Sequence, residues 1–391
     1  MDFYKDSPKL GKKRALIFSM AYVPFVGGAE LAVKEITDRI EDFGWDLVTL
    51  RFDKNRPKFE KIGNVNVYRI GGGKLLFPFL AFCKGLRLNR KNKHDVVWSI
   101  MANRAGFAAL FFKFFNPKVK FLLTLQEGDN LDYPEKRMGI LKFILNPFFR
   151  GIFKRADHVQ AISNFLADWA KEIGIKTDKI EVVPNGVSLE KHQGPTLMPA
   201  SRSVLDVESK KIIITTSRLV HKNGVDILIK AAARLKALIP DSSFVIQILG
   251  AGPEEKKLKD LAKELGVEDI VKFLGHVDPE KIPEYLNQAD MFVRASRTEG
   301  LGSSFLEAMG AGLPVIGTPA GGIVDFLKDG ETGLLAAIDN PDDLADKIKT
   351  LLENKELAAK IAENGRRLVV EKYPWESVAA RMKDIFLKLW K

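Results

Sequence analysis

Two glutamates and a glycine-rich loop form the stretch of this sequence best suited to chemistry. Met291–Ala295 is an apolar strand, 296–303 is a polar loop broken by glycines, and a helix is predicted to begin at Ser304. Unpaired backbone N–H groups and the positive end of the helix dipole meet at a helix N-terminus, so the segment predicts an anion site. Glu299 and Glu307 flank the loop, and such a pair suits a ligand with both phosphate and hydroxyl groups, such as a nucleotide sugar.

A purely structural interpretation of the same residues stays open. Ser304-Phe305-Leu306-Glu307 fits a capping box, in which Glu307 reaches back to the first N–H of its helix. Glu299 would then be an ordinary solvated acid of the loop. The residue types alone do not decide between the two interpretations.

A wider pattern surrounds the two acids and resembles a known family. The spacing E-G-x-G-x-x-x-x-E, followed by A-M-x-A-G-x-P-V-I, is similar to the "E-x7-E" segment of the retaining GT-B glycosyltransferases of family 4. The resemblance implies that Glu299 lies beside the donor sugar and that Glu307 holds the nucleotide ribose. It also implies that the loop between them lines the donor site, through Gly300, Leu301, Gly302 and Ser303.

The alternation of strands and helices predicts an α/β fold with doubly wound, mostly parallel sheets. A buried-type strand at Arg14–Met20 leads through Gly27 and Gly28 into a helix that we expect to end near Phe43. Similar sheets bind ligands at the carboxyl ends of their strands. The further strands expected in the first half are Asp46–Arg51, Val65–Ile70, Asp95–Ile100, Val119–Leu125, His158–Ile162 and Ile180–Val183.

The first glycine turn and one strand end carry candidate site residues. The P-x-x-G-G-A-E pattern around Gly27 and Gly28 resembles the family loop that approaches the donor diphosphate, although a tight turn alone would also require glycine. Gln126 follows a strand where family members often have a histidine. An amide forms hydrogen bonds but does not exchange a proton usefully, so Glu127 and Asp129 are the more plausible proton acceptors.

The loop at 218–226 resembles the family segment whose arginine and lysine neutralise the donor diphosphate. Arg218 matches the arginine, but Asn223 occupies the lysine position and the cation lies one residue earlier, at Lys222. Fixed cations there would stabilise a departing nucleoside diphosphate. Further residues expected to border the donor are Asn185, Gly250, Gly252 and His276. No His/Cys/Asp cluster has metal-ligand spacing, so we expect neither a metal nor a cofactor.

Composition limits the class of protein. The single cysteine, Cys83, lies in an apolar run and excludes a disulfide framework. The first residues lack the apolar core of a signal peptide, and the longest apolar run is too short to span a bilayer. We therefore expect a cytoplasmic protein, soluble or peripheral at the inner face of the plasma membrane.

Positive charge is concentrated in the first half of the chain. Residues 51–150 hold 20 Lys and Arg against 7 Asp and Glu, while the whole chain has a formal net charge of +11. Three segments, Lys74–Lys93, Gly106–Lys120 and Lys136–Arg155, mix these cations with Phe and Leu, as interfacial helices on anionic membranes do. The alternative is that the apolar residues face the domain core and the cations form a solvated rim. A nucleic-acid-binding protein is less favoured, because no recognisable nucleic-acid module accompanies the charge.

The resemblance extends over nearly the whole chain and implies a GT-B fold, with two Rossmann-like domains facing each other across a cleft. The expected limits are 1–190 for an acceptor-binding domain, 191–208 for a linker, 209–372 for a nucleotide-sugar-binding domain, and 373–391 for a helix that returns to the first domain. The implied reaction is a retaining, metal-independent hexosyl transfer from a UDP- or GDP-sugar to a lipid-linked or cell-envelope acceptor. A degenerate scaffold that only binds membrane or nucleic acid is the alternative.

Overall fold

The computed structural model describes residues 13–24, 27–128, 142–191, 210–239 and 243–390. Within these ranges the chain forms two sheets of mostly parallel strands with helices packed against them, as the sequence predicts. Asp129 and nearly all of the expected linker lie outside the described residues, so the predicted domain limits remain predictions.

The first sheet has eight strands in the order β3-β4-β2-β1-β5-β6-β7-β8. All neighbours are parallel except β3 and β4, which form an antiparallel edge. The sequence analysis missed β3 because its side chains alternate between exposed and half-buried and leave no apolar run. The strands are β1 (Arg14–Phe18), β2 (Gly44–Leu50), β3 (Phe59–Ile62), β4 (Val65–Ile70), β5 (Val96–Ile100), β6 (Lys120–Leu125), β7 (His158–Ala161) and β8 (Ile180–Val182).

Five helices within the described ranges accompany the first sheet. The first begins at Gly28 and ends at Arg39, four residues before the predicted end near Phe43. The helices are α1 (Gly28–Arg39), α2 (Gly73–Asn92), α3 (Arg104–Phe115), α4 (Lys142–Arg155) and α5 (Asn164–Glu172). Because the β-α connections leave the carboxyl ends of the parallel strands, the loops after β1, β5 and β6 share one edge of the sheet.

The second sheet has six parallel strands in the order β11-β10-β9-β12-β13-β14. Its central strands are fully buried, which explains their continuous Val and Ile runs. The strands are β9 (Lys211–Thr216), β10 (Phe244–Leu249), β11 (Val271–Gly275), β12 (Met291–Val293), β13 (Val315–Gly317) and β14 (Leu334–Leu335). The helices are α6 (Val225–Leu238), α7 (Glu255–Glu264), α8 (Ile282–Gln288), α9 (Ser303–Gly310), α10 (Pro341–Glu353) and α11 (Lys355–Lys372).

The last helix, α12 (Trp375–Trp390), packs against the first domain, as predicted for this fold. Its buried face carries Val378, Met382 and Phe386, and the Phe386 ring lies 5.2 Å from Trp45 and 5.3 Å from Trp98. The chain is also joined to this domain just before α12, where the Val187 N–H donates to the Tyr373 carbonyl (2.8 Å). The end of the chain therefore completes a core that the beginning of the chain leaves open.

We expect Phe386→Ala to destabilise the first domain by about 3 to 5 kcal/mol, because truncating a fully buried phenylalanine removes apolar burial and leaves a cavity. Urea denaturation followed through tryptophan fluorescence measures the loss. The exposed Asp384→Ala change on the same helix is the control and should stay within about 0.5 kcal/mol of the wild type. Equal effects of the two changes would contradict the packing role of α12.

Candidate active site

The glycine loop predicted from the sequence connects β12 to α9 at the carboxyl edge of the second sheet. Helix α9 begins at Ser303, one residue before the predicted start, and Gly302 is its N-cap. Gly302 has φ of 90°, a left-handed conformation that favours glycine, and it provides no side chain to cap the helix. The first N–H groups of α9 therefore have no side-chain cap and remain suited to an anion.

A buried arginine that the sequence analysis did not single out holds the loop together. Arg294, directly after β12, pairs through Nη2 with Glu299 and donates from Nη2 to Asn223 Oδ1 (2.9 Å). Its Nη1 donates to Ser304 Oγ (2.8 Å). The one available signal was a charged residue inside Met291–Ala295, the stretch predicted as an apolar strand, where a buried position is expected.

This network corrects the structural interpretation of both acids. Glu299 is not a solvated loop acid, because it is only 9% exposed and paired with Arg294. Ser304 is not an N-cap, since it lies inside the helix and its hydroxyl accepts from Arg294. A capping box with Glu307 is therefore absent from the described start of α9.

Glu307 lies one turn into α9 and keeps partial exposure. Desolvation by the surrounding protein raises the pKa of its carboxyl to about 7, and the nearby charge of Arg294 opposes this rise only in part. The carboxyl is thus poised to change its charge near neutral pH, and a partner that donates hydrogen bonds would favour its ionised form.

The loop at 218–226 adds cations at the same edge. Arg218 is exposed, and its carbonyl accepts from Asn223 Nδ2 (2.7 Å). Asn223 is buried, so this departure from the family pattern serves to connect the loop with Arg294. Arg297, which lies outside this loop in the sequence, stabilises it through two hydrogen bonds to Asp226 (2.8 and 2.7 Å).

The two domains meet at this loop. Lys222 Nζ donates to the carbonyl of Gly128 in the first domain (2.7 Å). A Cβ atom at Gly300 would overlap the carbonyl of Glu127, so the approach of the two backbones requires glycine here. A second contact lies nearby, where the Asn164 N–H donates to Asp325 Oδ2 (2.7 Å).

The predicted residues of the first domain gather on the facing wall. Asn185 Nδ2 donates to Gln126 Oε1 (3.3 Å), and the Cα of Gly28 faces Asn185. The Gly27 N–H donates to Glu30 Oε2 (2.8 Å). Glu127 Oε1 accepts the Ala102 N–H (2.7 Å), so its carboxylate supports the loop between β5 and α3.

A cavity of about 180 Å³ opens at the carboxyl ends of β9 and β10. Arg218, Gly250 and His276 line it, and His276 is exposed at the rim. Gly252 is not part of this lining and packs against the Leu219 carbonyl. The complete lining is Thr216, Ser217, Arg218, Leu249, Gly250, Ala251, His276, Val277 and Ile282.

Several buried hydroxyl groups on β9 and in the loops after β9 and β12 have no hydrogen-bond partner among the described residues. They belong to Thr215, Ser217 and Ser296. Buried hydroxyls without partners are costly, and a polar ligand in this region would offset that cost. The described part of the chain contains no group of three or more His, Cys, Asp or Glu that could hold a metal ion.

We expect Glu307→Gln to stabilise the unliganded protein by about 1 to 3 kcal/mol at pH 8.5 and to have almost no effect at pH 4. The folded protein binds the Glu307 proton more tightly than the unfolded chain, so stability falls as pH rises from 4.5 to about 7, and glutamine removes this loss. Urea denaturation at both pH values measures the difference, with the exposed Glu363→Gln as control. A variant less stable than the wild type at pH 8.5 would refute the raised pKa.

Comparison with known proteins agrees with this arrangement. The family model "Glycosyltransferase Family 4" matches residues 26–191, and the model "Glycosyl transferases group 1" matches residues 199–368. An uncharacterized glycosyltransferase of Methanocaldococcus jannaschii is 27% identical over 97% of this chain and 99% of its own length. A GDP-mannose-dependent alpha-(1-6)-phosphatidylinositol monomannoside mannosyltransferase of Mycobacterium tuberculosis is 31% identical over 52% of this chain and 55% of its own.

Solved structures of other proteins also resemble this chain. HepE of Anabaena in complex with UDP-glucose superposes with a TM-score of 0.80 at 21% identity and covers 96% of this chain and 99% of its own. Likeness at this identity supports the fold, and the two family models together span both described domains. The chain belongs to the group 1 glycosyltransferases of family 4 and has their GT-B fold.

Proposed function

We propose that this glycosyltransferase moves a hexosyl group from a UDP- or GDP-sugar to an acceptor hydroxyl, with retention and without a metal ion, to form an α-linkage. The observation that carries the proposal is the Arg294–Glu299 pair at the N-terminus of α9, which faces Glu127 and Gly128 of the first domain. When a donor binds there, its diphosphate would contact the second domain, and the acceptor would lie on the side of the first domain.

The donor site we propose extends from the cavity beside β9 and β10 to the start of α9. The nucleotide occupies the cavity near Gly250 and His276, and its ribose hydroxyls donate to Glu307. The Ser217 and Ser296 hydroxyls, which have no hydrogen-bond partner in the described part of the chain, are consistent with a polar ligand along this path. The mannosyltransferase named above is GDP-mannose-dependent, and the HepE structure was solved with UDP-glucose. Both support a nucleotide sugar as the donor and leave both bases as candidates.

Departure of the nucleoside diphosphate is the step that most needs assistance, because negative charge grows on the leaving oxygen. Arg218, Lys222 and the N-terminus of α9 are fixed positive groups near its path. Groups that interact more strongly with the developing charge than with the bound donor lower the barrier. Contact between Lys222 and Gly128 joins this cationic loop to the opposite domain and helps exclude water.

Glu299 holds the sugar hydroxyls in this mechanism and does not attack the anomeric carbon. Pairing with Arg294 fixes the position of the Glu299 carboxylate, which suits hydrogen-bond acceptance. Retaining glycosidases use a carboxylate nucleophile, and we assign no residue here to that role. Gln126 and Asn185 contribute hydrogen bonds from the first domain, and Gly27 and Gly28 leave space for the diphosphate.

Thermal unfolding against a panel of UDP-, GDP-, ADP- and CMP-sugars tests this function. A donor at 100 times its dissociation constant should stabilise the protein by about 2.7 kcal/mol. Glu299→Gln should keep nucleotide binding and lose turnover by at least about 100-fold, because the sugar hydroxyls lose a charged acceptor and meet an NH2 donor while the nucleotide site is intact. EDTA should leave the wild-type rate unchanged.

Three results would contradict parts of this proposal. An active Glu299→Gln enzyme would remove the role of Glu299, and inhibition by EDTA would remove metal independence. Binding of no sugar nucleotide would favour a degenerate scaffold that binds another partner.

We propose further that the acceptor is lipid-linked and that the first domain meets it at an anionic membrane. Six large apolar side chains on α2, α3 and α4 form what we call the apolar ridge, and they are 44% to 84% exposed. Aromatic contacts that include two side chains of the ridge join the three helices. The Phe82 and Phe115 rings lie 5.2 Å apart, and the Phe111 and Phe148 rings lie 6.4 Å apart. The ridge consists of Leu75, Leu76, Phe79, Phe114, Phe115 and Phe148.

Cations surround the ridge, which argues for a lipid surface with negative headgroups. Arg155 lies 5.1 Å from the Phe114 ring centre, and Lys74 is the second residue of α2, next to Leu75. Apolar side chains at the centre with cations around them suit an interface between hydrocarbon and acidic headgroups. The alternative that these apolar residues face the core is correct for others on the same helices, such as Phe77 and Phe112. The described part of the chain has no helix both long and apolar enough to cross a membrane.

Sedimentation with phosphatidylglycerol and phosphatidylcholine vesicles tests the membrane surface. We expect binding to phosphatidylglycerol vesicles, and a loss of about tenfold or more in Leu75→Glu/Phe79→Glu/Phe115→Glu, because each change replaces buried hydrocarbon contact with charge. Val370→Glu, an exposed apolar position on α11, is the matched control and should bind as the wild type does. Equal binding by the triple variant, or tighter and steeply salt-dependent binding to DNA, would refute the lipid surface.

A further inference from the structure

Arg294 occupies an unusual electrostatic position. It is 9% exposed, its backbone N–H donates to the Ile316 carbonyl of β13 (3.0 Å), and its guanidinium lies at the first turn of α9. The N-terminus of a helix repels a cation. A buried guanidinium at this point therefore requires negative charge, of which Glu299 provides one unit.

The hydrogen-bond acceptors around Arg294 compensate the positive charge of its guanidinium only in part. Nη2 is shared between Glu299 and the amide oxygen of Asn223, whereas among the described residues Nη1 donates only to the neutral hydroxyl of Ser304. Nε is buried without an acceptor among the described residues. A hydrogen bond from a cation to an anionic oxygen is about twice as strong as one between neutral groups, so an anion at the helix start would improve this set.

Neighbouring residues provide room and further donors for such an anion. Ser303 and Ser304 are partly exposed, and Gly302 leaves the first N–H groups of α9 without a side-chain cap. Asn223, on the adjacent loop, is short and neutral, and Arg294, directly after β12, is a cation that contacts the first turn of α9. The buried hydroxyl of Ser296, also without a partner among the described residues, lies two residues beyond Arg294.

We propose that Arg294 is a catalytic residue that binds the donor diphosphate at the N-terminus of α9. This inference rests on the proposed nucleotide-sugar reaction. The bond between the anomeric carbon and the diphosphate oxygen breaks, and its electron pair remains on the diphosphate, where the guanidinium stabilises it. The acceptor oxygen forms the new bond to the anomeric carbon, and its proton passes to the departing diphosphate.

The competing explanation is that Arg294 only positions Glu299. The two explanations predict different effects of mutation on the binding of a diphosphate that carries no sugar. If Arg294 acts through Glu299, then Arg294→Met and Glu299→Gln remove the same feature and change diphosphate binding alike. If Arg294 binds the diphosphate, the two changes act in opposite directions, because Glu299→Gln removes a competing negative charge and leaves the cation in place.

Titration calorimetry with inorganic pyrophosphate, and with UDP, uridine, GDP and guanosine, separates these cases. For Arg294→Met we expect pyrophosphate and nucleoside diphosphate binding to weaken about 10- to 100-fold and nucleoside binding to change less than about threefold. For Glu299→Gln we expect pyrophosphate binding to strengthen about three- to tenfold. Arg294→Lys keeps the charge without the planar fork and should fall between wild type and Arg294→Met.

Opposite shifts of the two variants support the inference, and shifts in the same direction overturn it. Equal weakening of nucleoside and nucleoside diphosphate binding by Arg294→Met also overturns it. Should Arg294→Met not fold, the sign of the Glu299→Gln effect decides alone, because weakened or unchanged pyrophosphate binding contradicts direct contact. A wild type that binds neither UDP nor GDP would refute the proposed function, whereas a wild type that binds one of them, with both variants moving together, would refute only the role of Arg294.

Discussion

The site depends on how closely two backbones approach each other between the domains. Gly300 in the second domain lies against the Glu127 carbonyl in the first, at a separation that a methyl group would prevent. Each domain alone presents only the edge of a parallel sheet, with loops that are incomplete as a binding site. Contact at this point brings Lys222 of the 218–226 loop next to Gly128, so groups from both domains meet at one place.

Burial of charge is the second constraint, and it explains the polar network around the glycine loop. Arg294 and Glu299 are both nearly inaccessible to water, and an isolated charge at either position would be strongly unfavourable. The pair, together with Asn223 and Ser304, distributes hydrogen bonds so that a loop without regular structure has a defined shape. Rigid placement of polar groups before the ligand arrives is what electrostatic catalysis requires.

Much of the architecture could be predicted from the sequence, because buried parallel strands are continuous apolar runs and glycine turns follow them. A local pattern predicted the start of α9 to within one residue, together with the acids on either side of that start, and the family resemblance implied the return of α12. Arg294 was not, since its importance comes from pairing with Asn223, 71 positions earlier, which no local pattern contains. Likewise, the Phe and Leu residues of α2–α4 divide between core and ridge by helix orientation, which their mixed sequences do not reveal.

The position of α12 has a consequence for how the protein is made. Trp45 and Trp98 belong to the first domain, yet they pack against Phe386, close to the end of the chain. During synthesis the first domain emerges before α12, so its core lacks this surface until α12 has also left the ribosome. Completion of the first domain therefore depends on a segment that is made after the second sheet. A chain truncated before α12 would expose that face permanently and would be a substrate for chaperones and proteases.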